Sequence, residues 1–245
     1  DLGNHYIKWW LCRDLLIDSK GCVVAKFCET ELKNLDWNEI KEVRIASVKD
    51  RTFTEATINL IKILCKSNCV VREAFPQANH QGLHLKFTDP NQIGVDRYLA
   101  MLAAVKSNGL KCIIDVGSAL TVDIVDESGI HRGGYIIPGL FLSRKVLVEQ
   151  TSKIKLVSSP LYSTSLGPAF NTMGAVEHGI RRSVLEFVKA IYYEQMSKDK
   201  LVTVRLILSG GDHEWLIPHL RGSVVSKPNI VKDGLDTYFN LLNVF

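Results

Sequence analysis

The chain has 245 residues, 46% hydrophobic and 23% charged, so it can bury the core of one large domain or of two lobes and lacks the composition of a disordered or collagen-like protein. Its 30 basic and 26 acidic residues leave a formal charge of +4 without any run of five like charges, which gives no support to a nucleic-acid partner. No apolar stretch reaches the ~18 residues of a membrane span and no charged-then-apolar leader opens the sequence, so a cytoplasmic protein with no membrane partner is expected.

Asp1-Leu2-Gly3-Asn4 reads as a turn motif, and because the strand that leads into such a turn is absent, further residues are expected before Asp1. Apolar alternation over 6–11 and 22–27 predicts a hairpin with its turn at 18–21. The run 43–47 predicts a buried strand, 54–66 an amphipathic helix and 69–72 a further strand, so the first part is α/β. After a polar loop over 76–92, the spacing over 95–106 predicts a helix closed by Asn108 and Gly109, followed by a buried strand at 111–116. There the opening motif returns as Asp115-Val116-Gly117-Ser118, and a second hairpin follows, 120–125 with 131–137 around a turn at 127–129. Helices are predicted over 140–150 and, after a Ser/Pro-rich loop at 157–168, over 173–196. A strand over 202–208 ends in Ser209-Gly210-Gly211-Asp212, and an amphipathic helix runs from 233 to 242. The recurrence divides the chain into two similar lobes, 1–109 and 110–245. Cysteines 12, 22, 28, 65, 69 and 112 include no Cys-x-x-Cys pair and no zinc-finger spacing, so reduced, mostly buried thiols are expected.

An Asp-x-Gly-Asn turn between strands can present backbone N–H groups and a carboxylate to a phosphate and its magnesium ion. Gly3 and Asn4 would make the turn, Asp1 would hold a water of the magnesium shell and Lys8 would neutralise phosphate charge; an ordinary hairpin turn is the alternative. Recurrence favours the phosphate reading, because a triphosphate between two lobes needs contacts from both. Gly117 and Ser118 would supply the second set, with Asp115 and Asp123 as candidate cation ligands. No Walker A motif is present and no G-x-G-x-x-G follows a strand. Residues 209–212 either lay backbone against adenosine at a helix start or make a plain strand-to-helix turn. Residues 94–97, Gly-Val-Asp-Arg, begin a helix: Asp96 is a helix-start carboxylate, or takes a proton from a hydroxyl while Arg97 binds a carboxylate. Thr172, beside Asn171, caps the long helix or offers its hydroxyl to a substrate. Residues 133–139 read as a packed corner, and His5, His84, His131 and His178 show no ligand spacing. On the long helix, Gly174, Ala175 and Gly179 beside Ile180, Val184 and Phe187 predict a homodimer face.

In order, DLGNHYIK, GVDR, DVGSALTVD, GGYIIPG, NTMGAVEHG and SGGD resemble the motif set of the type III pantothenate kinases, over nearly the whole chain. The resemblance implies an α/β fold of two similar actin-like, ribonuclease H-like lobes with a nucleotide cleft between them. It implies a homodimeric kinase that uses ATP to convert pantothenate to 4'-phosphopantothenate, the first step of coenzyme A biosynthesis, with Mg2+ and a monovalent cation, K+ or NH4+. By resemblance, Asp1, Leu2, Gly3, Asn4, His5, Tyr6, Ile7 and Lys8 bind ATP together with Ser118, and Asp96 is the catalytic base. Phe87, Gly94, Val95, Asp96 and Arg97 hold pantothenate, Thr172 reaches it from the other subunit, and Asp115 holds the monovalent cation. His5 stands where the family has Thr or Ser, Ser118 and Ser209 where it has Thr, and Phe87 where it often has Tyr, so one phosphate-side hydroxyl and one substrate hydrogen bond are expected to be missing. A kinase for another small hydroxyl compound and a regulatory accessory factor of the same fold are the competing readings. The retained Asp1, Asp96, Arg97 and Asp115 speak against the second.

Overall fold

In the computed structural model, β1 (Tyr6–Arg13) runs antiparallel to β2 (Leu16–Val24), with a bulge between Leu11 and Cys12. The structure describes residues 1–13, 16–66, 69–154, 165–198 and 203–239. Much of the expected loop at 157–168, the first residue of the expected strand at 202–208 and the end of the expected helix at 233–242 lie outside the described residues. The turn expected at 18–21 falls inside β2. Asp18, Ser19 and Lys20 are exposed, so their polarity marks a solvent-facing strand, and Gly21 pairs with Trp9, whose indole takes the space a Cβ would fill.

The chain forms two units, one of residues 1–106 with the stretch from Asn229 onward, the other of residues 107–228. In the first, a short helix absent from the sequence expectations, α1 (Cys28–Asn34), precedes a β-α-β crossover of β3 (Glu42–Ile45), α2 (Arg51–Leu64) and β4 (Val70–Glu73), with β3 and β4 parallel. Asp50 caps α2 by accepting from Phe53 N at 2.8 Å, and Ile61 joins a core of Leu2, Ile7, Leu32 and Ile45. The expected loop at 76–92 contains a small hairpin, β5 (Asn79–His80) and β6 (Leu83–His84), turned by Gln81 and Gly82 at positive φ. Helix α3 (Val95–Ala104) buries most of its surface and packs on α6 (Ile230–Tyr238), whose Gly234 touches it so closely that a Cβ would overlap Leu99 O. The C-terminal helix, expected with the second lobe, thus packs with the first. Its apolar face, Ile230 and Leu235, finds its partner there.

In the second unit, β7 (Leu110–Val116), β8 (Ala119–Val125), β9 (His131–Pro138), β10 (Val204–Ser209) and β11 (Ser223–Ser226) form a sheet in the order β11-β10-β7-β8-β9. The first two pairs are parallel and the last two antiparallel. Helix α4 (Leu140–Gln150) has no buried residue, whereas α5 (Thr172–Lys198) lays Val184, Leu185, Val188 and Tyr192 on the sheet face formed by Cys112, Ile114, Leu120, Val122 and Leu206. Ile180 and Val184, expected to meet a second subunit, are 8% and 1% exposed within this chain, and Phe187 packs at the edge of the same core. The helical apolar spacing recorded an internal core face.

Cys65 and Cys69, expected as reduced thiols, form a disulfide. Helix α2 stops at Leu64, so the two are not a turn apart on one helix, and their Cα atoms lie 6.0 Å apart, within bridging range. Cys28 and Cys112 are free and buried, and burial pushes the Cys112 thiol up to about 12, whereas Cys12 and Cys22 are exposed. Among the described residues, no helix is long and apolar enough to cross a membrane.

Candidate active site

In the first unit the opening motif is a tight turn. Leu2 bridges both Ile7 and Ser47, Lys8 N donates to Asp1 O at 2.9 Å, and a Cβ on Gly3 would lie 2.7 Å from Tyr6 O, which only glycine avoids. Of the eight residues expected around ATP, Leu2 and Ile7 point into the core; Asn4 and Tyr6 are exposed. His5 is half-buried, and its carbonyl accepts from Ala25 N at 2.9 Å. Lys49, which the sequence reading passed over, donates from Nζ to Asn4 O at 2.6 Å and so places a cation on this turn. Its signal was its position, four residues beyond the end of β3, on the segment that pairs with Leu2.

That segment also links the turn to the second motif. Val48 N donates to Leu2 O at 3.1 Å, and the Val48 Cγ1 methyl lies 3.8 Å from the Cβ position of Gly94, the residue that precedes α3. A Cβ on Gly94 would also lie 2.5 Å from Asp96 Oδ1, so glycine leaves room for the carboxylate to fold back over the helix start. There Oδ1 accepts from Arg97 N at 2.7 Å, in the first helical turn, where the helix dipole favours the anion. Val95 is buried, and Asp96 and Arg97 are half-buried. Phe87 is half-buried on the segment between β6 and a 3-10 turn at Pro90–Gln92 that the Asp89 carboxylate caps.

In the second unit, Asp115 lies near the end of β7, paired with Thr121 on β8 and Ser209 on β10. Gly117 N donates to Ala119 O, Gly139 N to Ser118 O and Asp212 N to Val116 O, each at 3.1 Å. A Cβ on Gly139 would overlap Gly117 O, and one on Gly210, at φ +90°, would overlap the Val116 backbone. The motifs at 115–118, 133–139 and 209–212 therefore meet at one end of this sheet. Gly211 has open space around its Cβ position, and a 3-10 turn at Glu214–His219 follows in place of an α-helix. Burial raises the Asp212 carboxyl pKa, opposed by the charges of Arg181 and Arg144.

Asp123 does not belong to that loop. It lies within β8 at 2% exposure, and its Oδ1 is 2.9 Å from Nε2 of His131 on β9, also buried. The sequence reading of Asp123 as a cation ligand and of His131 as a bystander is corrected together: each is the other's partner. At the start of α5, Asn171 provides the cap, its Oδ1 accepting from Gly174 N at 2.8 Å, and Thr172 is exposed beside it. Among the described residues, no group of three or more His, Cys, Asp or Glu side chains could hold a metal ion.

The family model for type III pantothenate kinases matches residues 1–194. A type III pantothenate kinase of Chromohalobacter salexigens is 34% identical over 98% of this chain and 85% of its own length, and one of Cellvibrio japonicus is 30% identical over 98% and 96%. Among solved structures, a Campylobacter jejuni protein described as of the Baf family aligns with a TM-score of 0.59 at 18% identity over 94% of both chains. The ethanolamine utilization protein EutJ of Carboxydothermus hydrogenoformans aligns with 0.51 at 12% identity over 97% of this chain and 87% of its own. These structural likenesses concern the fold, which is mixed α/β of the actin-like class.

Proposed function

The chain belongs to the type III pantothenate kinase family, and from that premise we propose how its residues divide the work of the reaction. The activity is the ATP-dependent phosphorylation of pantothenate, an alcohol-acceptor phosphotransfer that opens coenzyme A biosynthesis. Asp96 is the base that accepts or orients the proton of the pantothenate hydroxyl. Arg97 binds the pantothenate carboxylate, with Gly94 and Val95 supplying backbone and Phe87 an apolar wall. The observation that carries this reading is the Asp96 carboxylate held at the start of α3 beside a segment bonded to the opening turn.

The opening turn, residues 1–8 with Lys49, faces the phosphates of ATP, and Ser118 contributes a hydroxyl. Asp1 would hold Mg2+ through water, and the ion would supply neutralisation of the charge that develops on the phosphates. Asp115 would hold K+ or NH4+. The enzyme works as a cytoplasmic homodimer in which Thr172 of one subunit reaches the pantothenate of the other. Exposed Tyr135, Ile136, Phe141, Val146 and Phe170, all in the second unit, support an interface there in place of the buried face of α5.

The test is a coupled assay of ADP release with pantothenate as acceptor. Asp96→Asn keeps the size of the side chain and removes its charge, so kcat is expected to fall by roughly 10² to 10⁴, with KM for ATP within about threefold of the parent. Retained turnover would remove Asp96 from the chemistry, and an equal loss of ATP binding would make its part structural.

A further inference from the structure

Two residues beyond Asp96 on α3, the Tyr98 side chain is fully buried, and its Oη lies 2.9 Å from Nδ1 of His80 on β5. With the imidazole neutral and its proton on Nε2, Nδ1 accepts the Tyr98 hydroxyl hydrogen. From α6, the Tyr238 ring packs edge-on against His80 with centroids 4.8 Å apart, and its Oη accepts from Gln77 Nε2 at 2.9 Å. One hydroxyl thus clips the segment 77–84 to the start of α3, and a second clips it to α6. The same segment continues to Phe87, and α3 begins with residues 94–97.

We infer that His80 and Tyr98 are a positioning pair for the acceptor site, holding the segment that carries Phe87 against the helix start that carries Asp96 and Arg97, and that protonation of His80 releases it. This rests on the reading of Phe87 and residues 94–97 as the pantothenate site. Protonation places a donor on Nδ1, which then no longer accepts the hydroxyl hydrogen of the fully buried Tyr98 side chain. The titratable groups facing His80 are Tyr98 from α3 and Tyr238 from α6. Burial lowers its pKa from the ordinary 6.5. The sign follows: the clip is whole above about 6.5 and is lost as pH falls through the lowered value.

The test is steady-state kinetics of the full chain between about pH 5 and about pH 8, with pantothenate and ATP varied separately. The parent is expected to show a pantothenate KM that rises about tenfold on the acid side, the scale of one lost buried hydrogen bond, while the ATP KM stays level. His80→Ala and Tyr98→Phe should carry the raised pantothenate KM at every pH. His80→Gln keeps an acceptor for Tyr98 but does not titrate, so it should match the parent at neutral pH and lose the acid rise. Should the alanine variant fail to fold, the glutamine variant decides alone. A pantothenate KM within twofold of the parent in His80→Ala, both KM values rising together, or an acid limb that survives in His80→Gln would overturn the inference. Absence of pantothenate phosphorylation by the parent would be a different result, removing the functional reading and this inference with it.

Discussion

Asp115, Gly117 and the glycines at 139 and 210 form a packed group in which side-chain size decides what fits. Asp115 Oδ2 lies 3.1 Å from the Cβ position of Gly117, so its carboxylate is held close against the turn that Ser118 completes. As the proposed ligand of a monovalent cation, Asp115 should make the rate depend on which ion is supplied. Initial rates are expected to be higher in K+ or NH4+ than in Na+ at equal ionic strength, and Asp115→Asn should flatten that response along with most of the turnover. Equal rates of the parent in K+ and Na+ would sink the assignment. At His5 the departure from the family's Thr or Ser matters less at the backbone, because the contact there is its own carbonyl to Ala25 N, which any residue supplies. The Asp123 and His131 pair was beyond the reach of spacing. A shifted register between Ile124 and Val125 sets how their strands align, and neither residue alone carries that information.

At the scale of elements, long periodic segments were legible and short ones were not. Helix α4 falls where the spacing put it and α5 within two residues of it, while α1, β11 and the 3-10 turn at Glu214–His219 are too short for periodicity to separate from loop. The contact of α3 with α6 gives a direct test of packing. Gly234→Ala inserts a methyl group into the Leu99 carbonyl, so the helices must part. A loss of about 1–3 kcal/mol is expected from overpacking, less the roughly 0.5–1 kcal/mol that alanine returns as a better helix former. Urea denaturation would measure it, and an unchanged midpoint would show that the overlap costs no more than alanine's helix preference returns. The Cys65 and Cys69 bridge predicts four alkylatable thiols in the unreduced, unfolded chain and six after reduction, countable by mass spectrometry.

At the scale of the whole molecule, the second unit leaves Ile136 60% exposed on an edge strand and Phe141 54% exposed on a helix with no buried residue. Apolar residues grouped this way favour a partner, and for a member of this family the proposed partner is a second copy of the chain. Light scattering at micromolar concentration is expected to give twice the mass of 27.4 kDa. Phe141→Glu combined with Ile136→Lys should return the monomer mass and lower activity if Thr172 serves the other subunit. A monomeric parent would remove the homodimer from the proposal.

Residue order alone carried the family, because six motifs in a fixed sequence reflect chemistry that tolerates few residue types: glycine where a Cβ would strike backbone, carboxylate at a helix start, hydroxyl beside a phosphate turn. It also carried the α/β class, since the period of apolar residues follows directly from the geometry of helix and strand. The tertiary structure decided what depends on contacts distant along the chain. It brought the C-terminal helix back to α3, turned Ile180 and Val184 inward, paired Asp123 with His131 and set Lys49 on the opening turn. Each of these is a choice among partners that one sequence offers equally, and burial, register and close packing make it only once the chain has folded.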